Sequence, residues 1–317
     1  MKKLAFGFAA LLASSAFAQS FPSKPVHIVV AFPPGGGVDI VARLLAPRLA
    51  EAWGQQVIVD NRAGASGTIG TEFAARSAPD GHTLLLGTLG NLAVNQHLYP
   101  KMSVDPLRDF APVTQVVAVH FVMVANPSLP AKSVAELIAL AKSRPGRIYY
   151  SSSGPGGAPH LAAELFKSMA QVNLVHVPYK GSAPSFQDLL GGQVSLTCDS
   201  LVQALPYVRD GRLTALAVLG ATRSPLLPDV PTVGETLPGY ELTNWFGLVA
   251  PAAVPRPAIA RIHADVVKVL KDPAISEKLS GMGASAIGNE PEQFGAAMRA
   301  DSEKWGKLIR EAHIRAE

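Results

Sequence analysis

The sequence predicts an α/β protein whose two lobes face each other across a central cleft. Three observations support this fold class. Residues 28–37 read as a strand followed by a glycine loop, and an apolar helical pattern comes next. A second copy of this unit spans residues 147–166. Two long apolar stretches, 114–125 and 242–250, are each able to carry the chain from one lobe to the other, and 317 residues suffice for two domains.

The first unit places Gly35-Gly36-Gly37 between a strand and a helix. Such a loop lies at the carboxyl end of a strand, and the first helical turn has unpaired N–H groups that attract an anion. A phosphate-binding P-loop is excluded because Val38 and Asp39 stand where Gly-Lys-Ser/Thr is required. The G-x-G-x-x-G dinucleotide motif is also absent. The alternative is a glycine turn that binds nothing.

The second unit strengthens the binding interpretation. It runs from a β-rich segment through Gly154-Pro155-Gly156-Gly157 into a helix with apolar residues at Leu161, Leu165 and Met169. Two such loops predict two lobes with a ligand held between two helix N-termini, each contributing roughly half a positive charge.

Residues 1–18 are predicted to be an export signal that is cleaved near Ala18. Two lysines precede an apolar run over residues 4–17, and residues 16–18 form an A-x-A site. The alternative is a membrane anchor, but this run is shorter than the roughly 20 residues that a spanning helix needs. We therefore expect a soluble protein of the periplasm.

Composition excludes several other classes of protein. Hydrophobic residues make up 48% of the chain and charged residues only 16%, so global disorder is excluded. Loss of Lys2 and Lys3 with the signal lowers the formal net charge from +4 to +2, which gives no argument for nucleic acid or anionic lipid. Cys198 is the single cysteine, so an internal disulfide is impossible.

The order of the elements predicts how the chain divides. Lobe 1 is expected to comprise residues 19–124 and 243–317, and lobe 2 residues 125–242, with the two long apolar strands as a hinge that suits closure around a ligand. Pro47 lies inside the first helical pattern and is expected to kink or end that helix. We expect the protein to be a monomer.

Several motifs in order resemble one known family. They are FPPGGGVDIVARLLA, NRAGASGTIG, PDGHTLLLG, SSSGPGGAPHLAAELF, VPYKGSAPSFQDLLGGQV, LPDVPTVGETLPGYE, WFGLVAPAAVPRP and FGAAMRADSEKWGKLIREA. Together they cover nearly the whole mature chain and are similar to the solute receptors of tripartite tricarboxylate transporters, the Bug receptors.

The resemblance implies a bilobed periplasmic binding protein of type II, with two hinge crossings. It implies that main-chain and small polar groups of the cleft loops hold the carboxylate of a small organic acid: a di- or tricarboxylate, an acidic amino acid or an aromatic carboxylate. A two-protein membrane permease is the implied partner of some members. The family commonly has serine where Gly157 stands, so one hydroxyl donor is absent here.

The predicted ligand-binding residues lie on the cleft loops and strand ends. They are Phe32, Pro34, Gly36, Gly37, Ser66, Thr88, Asn91, Ser153, Gly156, Gly157, His160 and Asp199. Loop capping is the alternative for Ser66, Thr88 and Asn91, and a capping or packing role for His160. Asp199 is odd in an anion site unless the ligand also carries an amine or hydroxyl, because close carboxylates repel. A helix N-cap is its simpler explanation.

Catalytic and sensory functions are the other hypotheses. An exported serine hydrolase would need the G-x-S-x-G elbow, which is missing. His160 and Glu164 share a helical face as a metal pair would, but H-E-x-x-H is absent. We therefore expect no enzymatic activity, no metal and no cofactor. A receptor that reports its ligand to a membrane signalling protein remains an alternative, because it needs the same cleft.

Overall fold

The computed structural model describes residues 21–99, 101–311 and 314. The predicted export signal therefore lies outside the described residues. Two sheets organise the chain. Their strands are β1 Val26–Val30, β2 Val57–Asn61, β3 Thr83–Thr88, β4 Phe110–Val119, β5 Phe121–Ala125, β6 Tyr149–Ser152, β7 Val175–Pro178, β8 Leu196–Ser200, β9 Thr214–Val218, β10 Asn244–Pro251 and β11 Ala284–Ala286.

Helices cover the faces and ends of the two sheets. The α-helices are α1 Gly37–Trp53, α2 Thr68–Ala75, α3 Asn95–Leu98, α4 Pro106–Asp109, α5 Val134–Ser143, α6 Ala158–Ala170, α7 Ser182–Leu190, α8 Leu201–Arg209, α9 Arg256–Leu270, α10 Pro273–Gly281 and α11 Pro291–Glu311. Short 3₁₀ turns span Ala65–Gly67 and Val233–Glu235, and a π-type turn spans Gly90–Val94. Within the described residues, no helix combines the length and the apolar character needed to cross a membrane.

Lobe 1 is built on a sheet of six strands in the order β11-β4-β10-β3-β1-β2. Strand β1 pairs in parallel with β2 and β3, whereas β10 is antiparallel to both β3 and β4. Strand β11 pairs with β4, so the end of the chain completes the sheet that its beginning started.

Lobe 2 is built on a sheet of five strands in the order β7-β6-β8-β5-β9. Strand β6 pairs in parallel with β7 and β8, and β5 is antiparallel to β8 and β9. The carboxyl ends of β6 and β8 therefore lie along one rim of this sheet. The loops that leave this rim lead into α6 and α8.

The first crossing between the lobes differs from the prediction. Instead of one strand over residues 114–125, β4 ends at Val119 in one sheet and β5 begins at Phe121 in the other. His120 joins them: its N–H donates to the carbonyl of Gly283, and its own carbonyl accepts from the N–H of Leu201. The first bond joins His120 to the residue before β11 in lobe 1, and the second joins it to the start of α8 in lobe 2. The backbone therefore leaves the first sheet at His120 and enters the second.

The return crossing lies just before β10. The N–H of Leu242 donates to the carbonyl of Leu219 in lobe 2, whereas Asn244 already pairs with Val119 in lobe 1. Both connections between the sheets are thus short and adjacent to Val119. This is the two-crossing arrangement of a type II binding protein.

Helix α1 continues through Pro47. Val41, Leu45, Leu49 and Trp53 form its buried face, as the helical spacing predicts. Pro47 lies inside the helix without ending it, and its side chain is exposed. A proline removes the hydrogen bond to the carbonyl four residues earlier, and on a solvent-facing side water can satisfy that carbonyl. Of the expectation that Pro47 kinks or ends the helix, the second part is wrong, because the helix continues to Trp53.

Candidate functional site

Both lobes contribute to a small cavity between the two sheets. Its volume is about 40 Å³, which is room for a few water-sized groups. Seven predicted residues line it: Phe32, Gly36, Gly37, Thr88, Ser153, Gly157 and Asp199. The other lining residues are Val38, Phe121, Ala158, Pro159, Ser182, Ser200, Asn244 and Phe246. The start of α1 thus faces groups that lie at the carboxyl ends of the lobe 2 strands.

The N-terminus of α1 forms the lobe 1 wall of this cavity. Gly35 has a positive φ of 84° that allows the sharp turn after Pro34, and Gly36 returns to an extended conformation at φ −78° as the N-cap. Ile40 provides the first helical N–H that reaches back to the Gly36 carbonyl, so the preceding N–H groups of the first turn have no acceptor within the helix. This arrangement offers amide donors and the positive end of a helix dipole.

Asp39 fixes the first glycine loop. Its carboxylate accepts a hydrogen bond from the N–H of Gly35 at 2.9 Å, from Arg43 Nε at 2.9 Å and from Asn61 Nδ2 at 2.9 Å. Burial alone would raise the pKa of Asp39, but the bonds from Arg43, Gly35 and Asn61 outweigh it and lower the pKa below its ordinary value. The loop is therefore preorganised by a buried, fully paired carboxylate.

The N-terminus of α6 forms part of the opposite wall and is a poorer source of donors. Gly157 is its N-cap, and the N–H of Gly157 already donates to the carbonyl of Gly154 at 3.1 Å. Pro159 lies in the first turn and has no N–H. Ala158 therefore offers one of the few free amide hydrogens on this side. The two glycine loops resemble each other in sequence, but they do not contribute equally.

His160 supports the second glycine loop and does not line the cavity. Its Nδ1 accepts the N–H of Gly156 at 3.1 Å, and its ring stacks on His176 with the centroids 4.2 Å apart. Burial, assisted by Lys167 against the opposing effect of Glu164, lowers the pKa of His160 to about 4. A neutral ring is what the Gly156 bond requires. In this structure His160 positions the second glycine loop, and its contact with a ligand stays a prediction.

Asp199 is a buried carboxylate that faces the cavity. It lies within β8, so the explanation as a helix N-cap is wrong; Ser200 occupies that position. Its Oδ2 accepts the hydroxyl of Ser182 at 2.6 Å, and its Oδ1 accepts the N–H of Ser200 at 2.6 Å. Burial raises the pKa of Asp199 to about 6, although both bonds act in the opposite direction.

Asn91 and Ser66 do not line the cavity. Asn91 Oδ1 accepts from the N–H of Thr88 at 2.7 Å and from its hydroxyl at 2.9 Å, while Asn91 Nδ2 donates to Thr71. Asn91 is thus a loop cap, which was the alternative interpretation. Ser66 instead contacts Tyr99 at 3.0 Å. Pro34 is exposed, and Pro33 is the proline that faces lobe 2.

Tyr99 joins the lobes beside the cavity. Its hydroxyl lies 2.9 Å from the carbonyl oxygen of Pro155 in lobe 2 and 3.0 Å from Ser66 Oγ in lobe 1. Because a carbonyl only accepts, Tyr99 donates to Pro155 and accepts from Ser66. Gly156 packs nearby against Leu98, so this predicted residue lies at a contact between the lobes and outside the cavity lining.

The two lobes approach each other closely at two glycine-containing loops. A Cβ atom added to Gly37 would lie 2.5 Å from Ser200 Oγ, and one added to Gly181 would collide with the ring of Pro33. Gly37 and Gly181 thus allow close contact at the two loops. The space between the lobes is consequently shielded on several sides.

Sequence reasoning missed Ser182, Ser200 and Asn244. Ser200 Oγ and Asn244 Oδ1 are buried and have no hydrogen-bond partner among the described residues. A usable signal exists, because polar residues at strand ends predict binding groups, and Ser200 ends β8 whereas Asn244 begins β10. That both groups meet at one cavity depends on the crossing of the chain between the sheets, which spacing alone does not reveal.

Comparisons with known proteins agree with this architecture. The family model described as "Tripartite tricarboxylate transporter family receptor" matches residues 41–314. Protein BugT of Bordetella pertussis (strain Tohama I) is 37% identical over 302 residues, which are 95% of this chain and 93% of that protein.

Two solved structures are also similar. The structure "R. palustris Rpa4515 with adipate" has a TM-score of 0.91 and 38% identity, and covers 93% of this chain and 99% of that one. MatC (Rpa3494) from Rhodopseudomonas palustris with bound malate has a TM-score of 0.88 and 32% identity, over 91% and 100% of the two chains. The chain described here belongs to the tripartite tricarboxylate transporter receptor family.

Proposed function

We propose that this protein is a periplasmic receptor that encloses a small organic carboxylate between its lobes and performs no chemical reaction on it. The observation that carries the proposal is the start of α1, where Gly36 and Gly37 present a helix N-terminus to a cavity shared by both lobes. The relatives that contain adipate and malate support a carboxylate as the ligand class.

The cavity volume indicates how such a ligand would be held. About 40 Å³ suits a carboxylate group and its nearest carbon, and it is too small for a whole dicarboxylate. The first carboxylate would lie at Gly36 and Gly37, and the rest of the molecule would require the lobes to stand further apart than here. Phe32, Phe121 and Phe246 would pack around its carbon atoms.

The remaining expectations belong to the same proposal. The protein would act as a monomer, with lobe 1 formed by residues 19–124 and 243–317 and lobe 2 by residues 125–242. Since β5 belongs to the second sheet, His120 is a better first boundary than residue 124. The protein would be exported, and its signal would be cleaved near Ala18. A membrane permease made of two proteins would receive the ligand from it.

A thermal-shift and calorimetry screen of small carboxylic acids tests the proposal. A ligand at about 100 times its dissociation constant should add roughly 2.7 kcal/mol to the free energy of unfolding, which is a clear rise in melting temperature. Matched amines and alcohols without a carboxylate serve as controls. A screen in which no acid raises the melting temperature, or only amines do, would refute carboxylate binding.

A further inference from the structure

We propose that the ligand carries a hydrogen-bond donor, a hydroxyl or an ammonium group, next to its carboxylate, and that Asp199 receives this donor. This inference rests on the proposed function and narrows its ligand class to hydroxy and amino acids. It concerns the part of the cavity that lies opposite the start of α1.

Hydrogen-bonding capacity at Asp199 is only partly used. Each carboxylate oxygen has two acceptor positions. Oδ2 receives Ser182 and Oδ1 receives the N–H of Ser200, so acceptor positions remain on a group that lines the cavity. These two bonds also fix the orientation of the carboxylate. Asp199 is therefore a preorganised acceptor.

Two further polar atoms point to the same requirement. Ser200 Oγ and Asn244 Oδ1 belong to side chains that are 2% and 3% exposed, and neither atom has a partner among the described residues. A buried polar atom without a partner destabilises a fold unless something satisfies it. Both residues line the cavity beside Asp199. A ligand that brings donors into this cluster would satisfy it.

Charge separates the two ends of the cavity. The start of α1 is positive and attracts a carboxylate, whereas the Asp199 end would repel a second one when Asp199 is ionised. A plain carboxylic acid would leave the acceptors at Asp199 and Asn244 without donors. A hydroxyl or ammonium group on the carbon next to the carboxylate complements both ends at once, because it places a donor close beside the carboxylate.

Calorimetry at pH 8 with matched acids tests this inference on the intact mature protein. The pairs differ only in the donor: malate and aspartate against succinate, and citrate against tricarballylate. A hydrogen bond to a charged group is worth a factor of about ten or more in affinity, so each donor-bearing acid should bind at least tenfold more tightly than its plain partner. Equal affinities within every pair would overturn the inference and leave the proposed function intact.

The variant Asp199→Asn locates the effect. Asparagine can accept the Ser200 N–H through its oxygen and donate to Ser182 through its amide, so the pocket keeps its shape. The preference for the donor-bearing acids should fall below threefold in this variant. Asp229→Asn, an exposed change, is the control and should retain the full preference. A full preference in Asp199→Asn would refute the role of Asp199. Absence of binding by every acid would refute the proposed function and the inference together.

Discussion

Replacing Asp199 by asparagine should stabilise the protein, and by more at alkaline than at acid pH. Burial raises the pKa of Asp199 from 3.8 to about 6. The folded protein therefore holds this proton at a pH where the unfolded chain has already released it. Stability from this group is fully present below pH 3.8 and is lost as the pH rises to about 6. A shift of about two units at about 1.4 kcal/mol each corresponds to roughly 3 kcal/mol.

Asparagine cannot ionise, so the variant escapes that loss. The measurement is urea-induced unfolding of wild type and Asp199→Asn at pH 8 and again at pH 3.5, with the exposed change Asp229→Asn as a control for the general effect of removing an acid. The stability difference between variant and wild type should be roughly 3 kcal/mol larger at pH 8 than at pH 3.5. Equal differences at the two pH values would refute the description of Asp199 as a carboxylate whose charge is penalised by burial.

Three further outcomes are expected. Gly36→Val should abolish ligand binding in calorimetry. It should leave the circular dichroism unchanged, because the added Cβ meets only a carbonyl oxygen at 3.8 Å. Retained binding would show that the loop is only a scaffold. Tyr99→Phe removes the hydrogen bond to Pro155 and should weaken ligand binding about fivefold, because such a bond contributes about 1 kcal/mol. Unchanged affinity would show that this bond does not contribute to closure of the lobes. His160→Asn keeps an acceptor for Gly156 but does not titrate. Since the folded pKa of His160 is about 4 against 6.5, wild-type stability should fall more steeply than that of the variant between pH 6.5 and 4, and parallel curves in urea unfolding would contradict a neutral His160.

Local signals in the sequence were sufficient for most of the secondary structure. Helix α9 begins directly after Pro255 and α11 begins at Pro291, as the preference of proline for the start of a helix predicts. Ser133 caps α5, with its Oγ accepting the Glu136 N–H, as the Ser-x-x-Glu spacing predicts. These features depend on residues within one or two turns, which is the range over which sequence patterns carry information.

The features that the sequence did not predict depend on tertiary structure. The break at His120 depends on which sheet each half of an apolar run joins, and both halves are equally apolar. His160 turns inward because it stacks on His176 and accepts from Gly156, a neighbourhood that no spacing rule encodes. The sequence marks Asp199 as anomalous in an anion site, but it does not indicate its partners Ser182 and Ser200, because burial decides their roles.

A molecule enclosed between the two lobes would be hidden from most of what lies outside the protein. Further contacts join the lobes at Tyr99 and Pro155 and at Gly181 and Pro33, so a membrane protein that touched this receptor would meet mainly the outer faces of the two lobes. It would detect that the receptor is occupied without detecting by what. Choice of cargo would then depend on a few interior side chains, and delivery of cargo on the outer surface. Each property could evolve while the other stayed fixed.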